Sequence, residues 1–543
     1  MSESEHETAA RQSGLNGVQS GGTGSSSPED VMAAVERWAE LYGGEDACAA
    51  EFLCDAHDPD ATAFTLVDTD LNAAALTYGE LKDRSRRLAA YLAREHGIGE
   101  GSRVGVLLTK RAELPVTLIA LARLGAVYIP LFTAFATGAI EMRTSASGAR
   151  LIVTEPSQAP KTEGIEGVRT LVVGPEFRRA ETETEPLEAS ARLGGNAPFL
   201  QLYTSGTTGK PKGVPVPLFA MAAFRAYLEL SLEVTAEDVY WDAADPGWAY
   251  GLYYGVVAPL VSGRPNILYA GGFTPASTFA VIERLGVTNF AGAPTMYRAM
   301  SKASGMPRVA LRRASSAGEP LTADVVQWAE TALGTEVRDH YGQTELGMMI
   351  CNHWHPAVRQ PLKPSSMGRP LAGYAAEIRD GIIALDVPAS PLFWFPGYLG
   401  EPEKTAERFS DDGRWYLTGD EGRRDDDGDF FFTAREDDLI LSAGYRIGPF
   451  DVESVLITHP SVADVAVVGR PDPAGVRGEL VEAFAVLVPG AEGTPELVRE
   501  LQMLVRTQYS AHAYPRHVHF VPELPKTPSG KVQRFVLRKA EQA

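Results

Sequence analysis

The chain has 543 residues, more than one hydrophobic core usually holds, so two or more domains are expected. Its formal net charge is −20 at pH 7. General nucleic-acid binding needs basic surface against phosphates and is excluded on that balance, so any anionic substrate must meet locally basic sites. Three cysteines, Cys48, Cys54 and Cys351, form no C-x-x-C pair and no even disulfide framework, which fits a reducing cytoplasm.

Residues 1–28 are rich in Ser, Gly, Glu and Gln and carry neither a basic nor an apolar leader segment, so they read as a disordered tail. Order is expected from Pro28, where Pro-Glu-Asp suits a helix N-terminus. Thr77 to Glu80 reads as a capping box, and Leu81, Ser85, Leu88, Ala89 and Leu92 then share one helical face. A short apolar strand is expected at 104–108, a helix at 114–124 and a strand at 126–130. Arg123, Gly125 and Pro130 interrupt this apolar stretch, so it reads as a buried helix and strand rather than a membrane span. A further strand is expected at 151–154. The alternation predicts α/β layers with largely buried sheets, and no repeat of solenoid period is present.

The C-terminal part changes character. Strands are expected at 462–469, 480–488 and 517–521. Thr494 and Pro495 start a helix with apolar positions Leu497, Val498, Leu501, Leu504 and Val505. The fold class is therefore α/β: a large layered α/β N-terminal domain over 29–435 and a small α+β C-terminal domain over 436–543.

Between Thr204 and Gly213 lie three glycines, four hydroxyl side chains and two lysines. Such a loop can wrap backbone N–H groups and hydroxyls around polyphosphate oxygens while lysines supply charge. It is not the common P-loop. Further motifs follow in order: Asp245, Pro246, Gly247, Trp248; Gly318, Glu319, Pro320; His340 to Glu345; Trp415 to Asp420; Arg435 to Pro449; and Pro525 to Lys531. An aromatic face such as that of Tyr341 suits a purine. A hard carboxylate oxygen such as that of Glu345 suits Mg²⁺ on phosphates, and Asp420 can accept two hydrogen bonds from a diol.

The TSGTTG-KPKG loop and these companions resemble the adenylate-forming (AMP-binding) superfamily, in its acetyl- and medium-chain acyl-CoA synthetase branch. The resemblance runs from about residue 50 onward. It implies that Thr204, Ser205, Gly206, Thr207, Thr208, Gly209 and Lys212 bind ATP phosphates, with Gly318, Glu319, Pro320, Tyr341, Gln343 and Thr344 around adenine and phosphate. It implies ribose contacts from Asp420 and Arg435, phosphate contact from Arg446, and Mg²⁺ on Glu345. Lys531, Thr204 and Glu345 are the expected catalytic residues. Ser442 and Gly444 are expected to bind CoA, Trp248 and Gly342 to line the acyl pocket, and Asp437 to be the hinge of a mobile C-terminal domain. Ala434 departs from the Gly-Arg pair common before that hinge.

The implied activity is an ATP-dependent acyl-CoA synthetase. It would join a short-to-medium-chain, branched or aryl carboxylic acid to CoA through an acyl-adenylate, releasing AMP and pyrophosphate. Acetate-selective relatives carry tryptophan where this chain has Gly342, so a Gly342→Trp change is expected to shift preference toward acetate or propionate. A carrier-protein thiol or an amine stands as an alternative acceptor, and a non-catalytic nucleotide-binding protein as another reading. Signals for other classes fail. Residues 97–101 are not G-x-G-x-x-G, no G-x-S-x-G elbow is present, and His353 and His355 lack the companions of a zinc site. Asp425 to Gly428 lacks the full calcium-loop spacing and reads as an acidic turn.

Overall fold

The structure, a computed structural model, describes residues 27–204, 212–319, 321, 323–435, 438–442, 445–473, 477–510, 512–527 and 531–539, apart from the side chains of Ala323, Asp324 and Arg446. Most of the expected tail, residues 1–26, lies outside the described residues. The first helix, Pro28–Gly43, starts where the proline and acids predict. Ser27 and Asp30 close a reciprocal capping box, Asp30 N donating to Ser27 Oγ at 3.2 Å and Ser27 N to Asp30 Oδ2 at 2.8 Å. The helix Tyr78–His96 is capped the same way by Thr77 and Glu80 and ends at Gly97, whose φ of 65° satisfies a left-handed C-cap. Its buried face is the expected one.

Two sheets form the large unit. One orders its strands Arg169–Val172, Leu151–Thr154, Arg103–Leu107, Val127–Pro130, Pro198–Thr204 and Lys212–Pro217, all parallel except the last pair. The other has nine strands. Its parallel centre runs through Val337–Gln343, Arg313–Ala317, Asn289–Gly292 and Tyr240–Asp242. Gly347–Cys351 folds back antiparallel on Val337–Gln343. A four-stranded antiparallel sheet follows, in which Ile382–Asp386, Trp415–Arg424 and Phe430–Arg435 are neighbours. One apolar core runs from Val31 to Phe430 and joins these sheets.

The C-terminal strands Val462–Pro471, Glu479–Leu487 and His517–Phe520 form a sheet of their own with the helix Pro495–Gln508. Their core gathers Ile440, Val467, Leu497, Leu501 and Val505 and shares no residue with the large one. Among the described residues no helix is long and apolar enough to cross a membrane.

Arg123, which interrupts the apolar stretch, is itself buried, at 2% exposure. Its guanidinium donates to both Asp55 oxygens at 2.8 Å, to Ser85 Oγ at 2.9 Å and to Ser190 Oγ at 3.0 Å. This explains the serine on the otherwise apolar face of Tyr78–His96. Lys363 Nζ occupies the acidic turn, 2.6 Å from Asp425, 2.7 Å from Asp427 and 3.1 Å from Asp429. An ammonium from the chain itself thus bonds the carboxylates that raised the question of calcium. His353 is buried, its Nδ1 3.0 Å from Ser231 Oγ, in a structural role.

Asp55→Ala should strand the buried Arg123 charge and cost about 3–5 kcal/mol, whereas Arg123→Leu should cost less. The reason is that Asp55, with a quarter of its side chain exposed, can rehydrate. Denaturant unfolding of both variants measures the difference.

Candidate active site

The site is built where the last residues of Val337–Gln343 meet the antiparallel sheet. Asp420, at 5% exposure, stands within Trp415–Arg424. Its Oδ2 accepts from Tyr341 Oη at 2.5 Å and from Gln343 Nε2 at 2.7 Å. Gln343 also donates to Thr418 O at 2.9 Å and accepts from Tyr416 Oη at 3.0 Å. Arg435 Nε lies 3.6 Å from the other Asp420 oxygen. Burial and the Asp420 charge hold the Tyr341 phenol well above its ordinary range, so it remains a donor.

The turn after Gln343 is fastened by its carbonyls. Tyr253 Oη donates to Thr344 O at 3.0 Å, while Tyr374 Oη at 2.9 Å and Trp394 Nε1 at 3.1 Å both donate to Leu346 O. Glu345 between them is buried, and its Oε1 accepts from Tyr398 Oη at 2.7 Å. Lys212 Nζ lies 4.4 Å above the Tyr398 ring, and burial and Arg408 lower its affinity for its proton. Thr204 pairs with Lys212 across the hairpin whose connection is the glycine-rich loop. Thr204 Oγ1 is buried with no partner among the described residues.

Lys531, from the C-terminal unit, joins this cluster. Its side chain is exposed; nearby protein and the Arg435 charge lower its pKa, while Glu319, Asp420 and Glu345 act in the opposite direction. Its loop is held by Lys531 N donating to Thr527 Oγ1 at 3.1 Å. Glu319 itself is tied to Arg298, Nη2 to Oε2 at 2.7 Å. Gly318 has φ 108°, and a Cβ there would meet the half-buried Trp248 ring at 3.4 Å, so the Trp248 and Gly318 loops touch.

The structure therefore brings together Thr204, Lys212, Gly318, Glu319, Tyr341, Gln343, Thr344, Glu345, Asp420, Arg435 and Lys531, with Trp248 beside Gly318. Ser442 is buried in the hairpin Ile440–Ser442 and Tyr445–Ile447, and does not join them. Ser205, Gly206, Thr207, Thr208, Gly209, Pro320, Asp437 and Gly444, and the Arg446 side chain, lie outside the described residues.

Gly342 is set by the backbone around it. A Cβ at 342 would stand 2.1 Å from Gly347 O and 2.6 Å from Met348 Cα. The glycine suits the antiparallel return strand, where the register slips between Tyr341 and Gly342. Two residues at the centre of the site, Tyr398 and Arg408, were not singled out in the sequence. Their only signal is the glycine-flanked Tyr398 in a short aromatic run after Phe395.

A family model for AMP-binding enzymes matches residues 54–384, and one for the AMP-binding enzyme C-terminal domain matches 451–531. The acetyl-coenzyme A synthetase of Bacillus subtilis (strain 168) is 35% identical over 85% of this chain and 84% of its own length. Among solved structures, an acyl-CoA synthetase of Brucella canis is 42% identical with a TM-score of 0.71, covering 94% of this chain and 98% of that one. A benzoate CoA ligase from Burkholderia xenovorans LB400 reaches a TM-score of 0.81 at 28% identity, over 91% of this chain and 100% of that one. The chain belongs to the AMP-binding enzyme family.

Gly342→Trp should lower activity with every acid alike and reduce the melting temperature, because overpacking against backbone costs about 1–3 kcal/mol. A thermal melt and an acid panel on the variant check this, and a switch to acetate with unchanged stability would contradict it.

Proposed function

We infer that the protein is an ATP-dependent, AMP-forming acyl-CoA synthetase. In the first step a carboxylate oxygen bonds to the α-phosphorus of ATP and the bond to pyrophosphate breaks. The acyl group, now joined to AMP, has a good leaving group. In the second step the sulfur of CoA bonds to the acyl carbon, AMP leaves, and the thiol proton passes to solvent. The observation that carries this reading is Lys531: a lysine of the C-terminal unit stands in the charge field of Glu319, Glu345, Asp420 and Arg435. An ammonium in that field would stabilise charge developing at the α-phosphate and the acid carboxylate.

Asp420 and Arg435 are proposed to hold the ribose, and Thr204, Lys212 and the glycine-rich loop the phosphates. Mg²⁺ is proposed to arrive with the nucleotide. Among the described residues no group of three or more His, Cys, Asp or Glu side chains suits a resident metal. The cation would be bound by one carboxylate, Glu345, together with substrate phosphates. The bound ion would neutralise phosphate charge, while Glu345 orients it.

CoA has its own candidate surface. Arg516 lies 3.8 Å over the Tyr514 ring, and burial together with Arg477 and Arg506 lowers its proton affinity, so three guanidinium groups share one patch on an acidic protein. Ser442 bridges to Gly478, next to Arg477, and Tyr445 stacks on His512 at 3.9 Å. Leu441 and Tyr445 are exposed. This supports a small unit, bounded near residues 435–437, that offers Lys531 for adenylation and the hairpin of Ser442 and Gly444 for thioester formation. Rotation about Asp437 would exchange them.

The proposed acid is short-to-medium-chain, branched or aryl. The names of the relatives, acetyl-, acyl- and benzoate, support that breadth. The cytoplasm is the proposed compartment, in keeping with three free, buried cysteines.

A panel of acids from acetate to decanoate, with branched and aryl acids, tests the reading with and without CoA. Acyl-CoA from one class is expected; pyrophosphate without acyl-CoA would move the acceptor to a carrier protein or amine. Lys531→Ala should lose adenylation by about 10²–10³-fold while preformed acyl-AMP is still converted to thioester. The lowered Lys531 pKa also carries a sign. Adenylation should fall as pH rises, with its alkaline limb below the ordinary lysine value of about 10.4, and Lys531→Arg should remove that limb. Arg516→Glu should raise KM for CoA by roughly tenfold or more, the loss of one charge-assisted contact, and leave ATP–pyrophosphate exchange unchanged.

A further inference from the structure

We propose that Tyr398 is a positioning residue for adenylation, fixing the Glu345 carboxylate so that one oxygen remains for the nucleotide's divalent cation and Lys212 stands beside it. The proposal rests on the adenylation reading above and assigns a role to a residue outside its motifs.

Tyr398 is held from several directions. Its N–H donates to Thr405 Oγ1 at 2.9 Å, and the next residue, Leu399, donates through its N–H to Gly213 O at 2.8 Å. The segment is thereby tied to the end of the phosphate loop, one residue from Lys212. Gly397 before it has φ 112°, which a side chain would strain. The Tyr398 ring is 4% exposed and packs edge-on against Phe395 at 5.0 Å.

The phenol oxygen lies between Glu345 Oε1, at 2.7 Å, and Arg408 Nε, at 3.1 Å. Arg408 can only donate, so the single phenolic proton is directed at Glu345. One carboxylate oxygen is therefore occupied and its orientation set, leaving the other for a hard cation.

Arg408 is itself anchored, Nη1 donating to Thr418 O at 2.8 Å. It passes so close to Gly419 that a Cβ there would stand 2.6 Å from Nη1. This accounts for the glycine in the Thr418, Gly419, Asp420 motif, whose φ is 70°. The ring face of Tyr398 carries the Lys212 ammonium at 4.4 Å. One side chain thus links the phosphate loop, the cation ligand and the ribose strand. Without its hydroxyl, the Arg408 guanidinium is free to pair with Glu345 directly and compete with the incoming cation.

The test uses the full chain with Mn²⁺ as the spectroscopic probe and a non-hydrolysable α,β-methylene ATP, read by electron paramagnetic resonance. Tyr398→Phe keeps the ring under Lys212 and removes only the hydroxyl. It should weaken Mn²⁺ binding about 10–100-fold, the usual effect of losing a partner of a metal ligand. The half-saturating Mg²⁺ in ATP–pyrophosphate exchange should rise by a similar factor. In a Glu345→Gln background the same change should add nothing. Arg408→Lys, a second variant, should shift Mn²⁺ affinity in the same direction by less. Wild-type Mn²⁺ affinity in Tyr398→Phe, or equal losses in both backgrounds, would overturn the proposal alone. Failure of the unaltered protein to bind Mn²⁺ with the nucleotide would overturn the adenylation reading beneath it.

Discussion

The Asp420 carboxylate, buried and accepting from Tyr341 and Gln343, ties two sheets together at the site. An ionised carboxylate away from water is unfavourable unless donors surround it. Here the donors come from the end of the central parallel sheet, and the acid comes from the middle of the antiparallel one. Gln343 strengthens the join by bonding to Thr418 O and Tyr416 as well. Whatever stands two residues beyond Gln343 is then positioned relative to whatever stands near Asp420. Glu345 and Arg435 are those two neighbours.

Rigidity follows from where the remaining polar groups go. The carbonyls of Thr344 and Leu346 are claimed by Tyr253, Tyr374 and Trp394, all on elements that belong to the core. The turn that carries Glu345 has little freedom left before a ligand arrives. Preorganised charge is what electrostatic catalysis requires. Lys212, Arg408, Arg435 and Lys531 gather there against Glu319, Glu345 and Asp420. A chain of net charge −20 thus carries a local concentration of cations. The guanidinium groups around Tyr514 form a second basic patch in the C-terminal unit.

Local signals were read well where the physics is local. The Thr77–Glu80 and Thr494–Pro495 starts, the buried face of Tyr78–His96 and the strand Leu151–Thr154 all formed where capping chemistry and periodicity put them. Readings that depended on a distant partner fared less well. Arg123 reads along the chain as a break in an apolar run, yet Asp55 and two serines make it part of the core. At Gly342 the Gly347 and Met348 backbone leaves no room for a Cβ, which nothing in the local spacing announces. Tyr398 and Arg408 were silent, since an aromatic and a cation in a loop carry no spacing that announces a contact with a carboxylate more than fifty residues earlier.

The sequence by itself determined the superfamily and the order of its motifs, through their resemblance to that family's motifs. It also determined the helix starts and the division into a large α/β and a small α+β part, which follow from short-range periodicity and capping. Only the tertiary structure decided which of those residues share one cleft, which oxygen of Glu345 is occupied, and why Gly342 and Gly419 must be glycine. Those depend on the direction of each Cβ and on partners brought together by sheet register, and neither is written in the spacing along the chain.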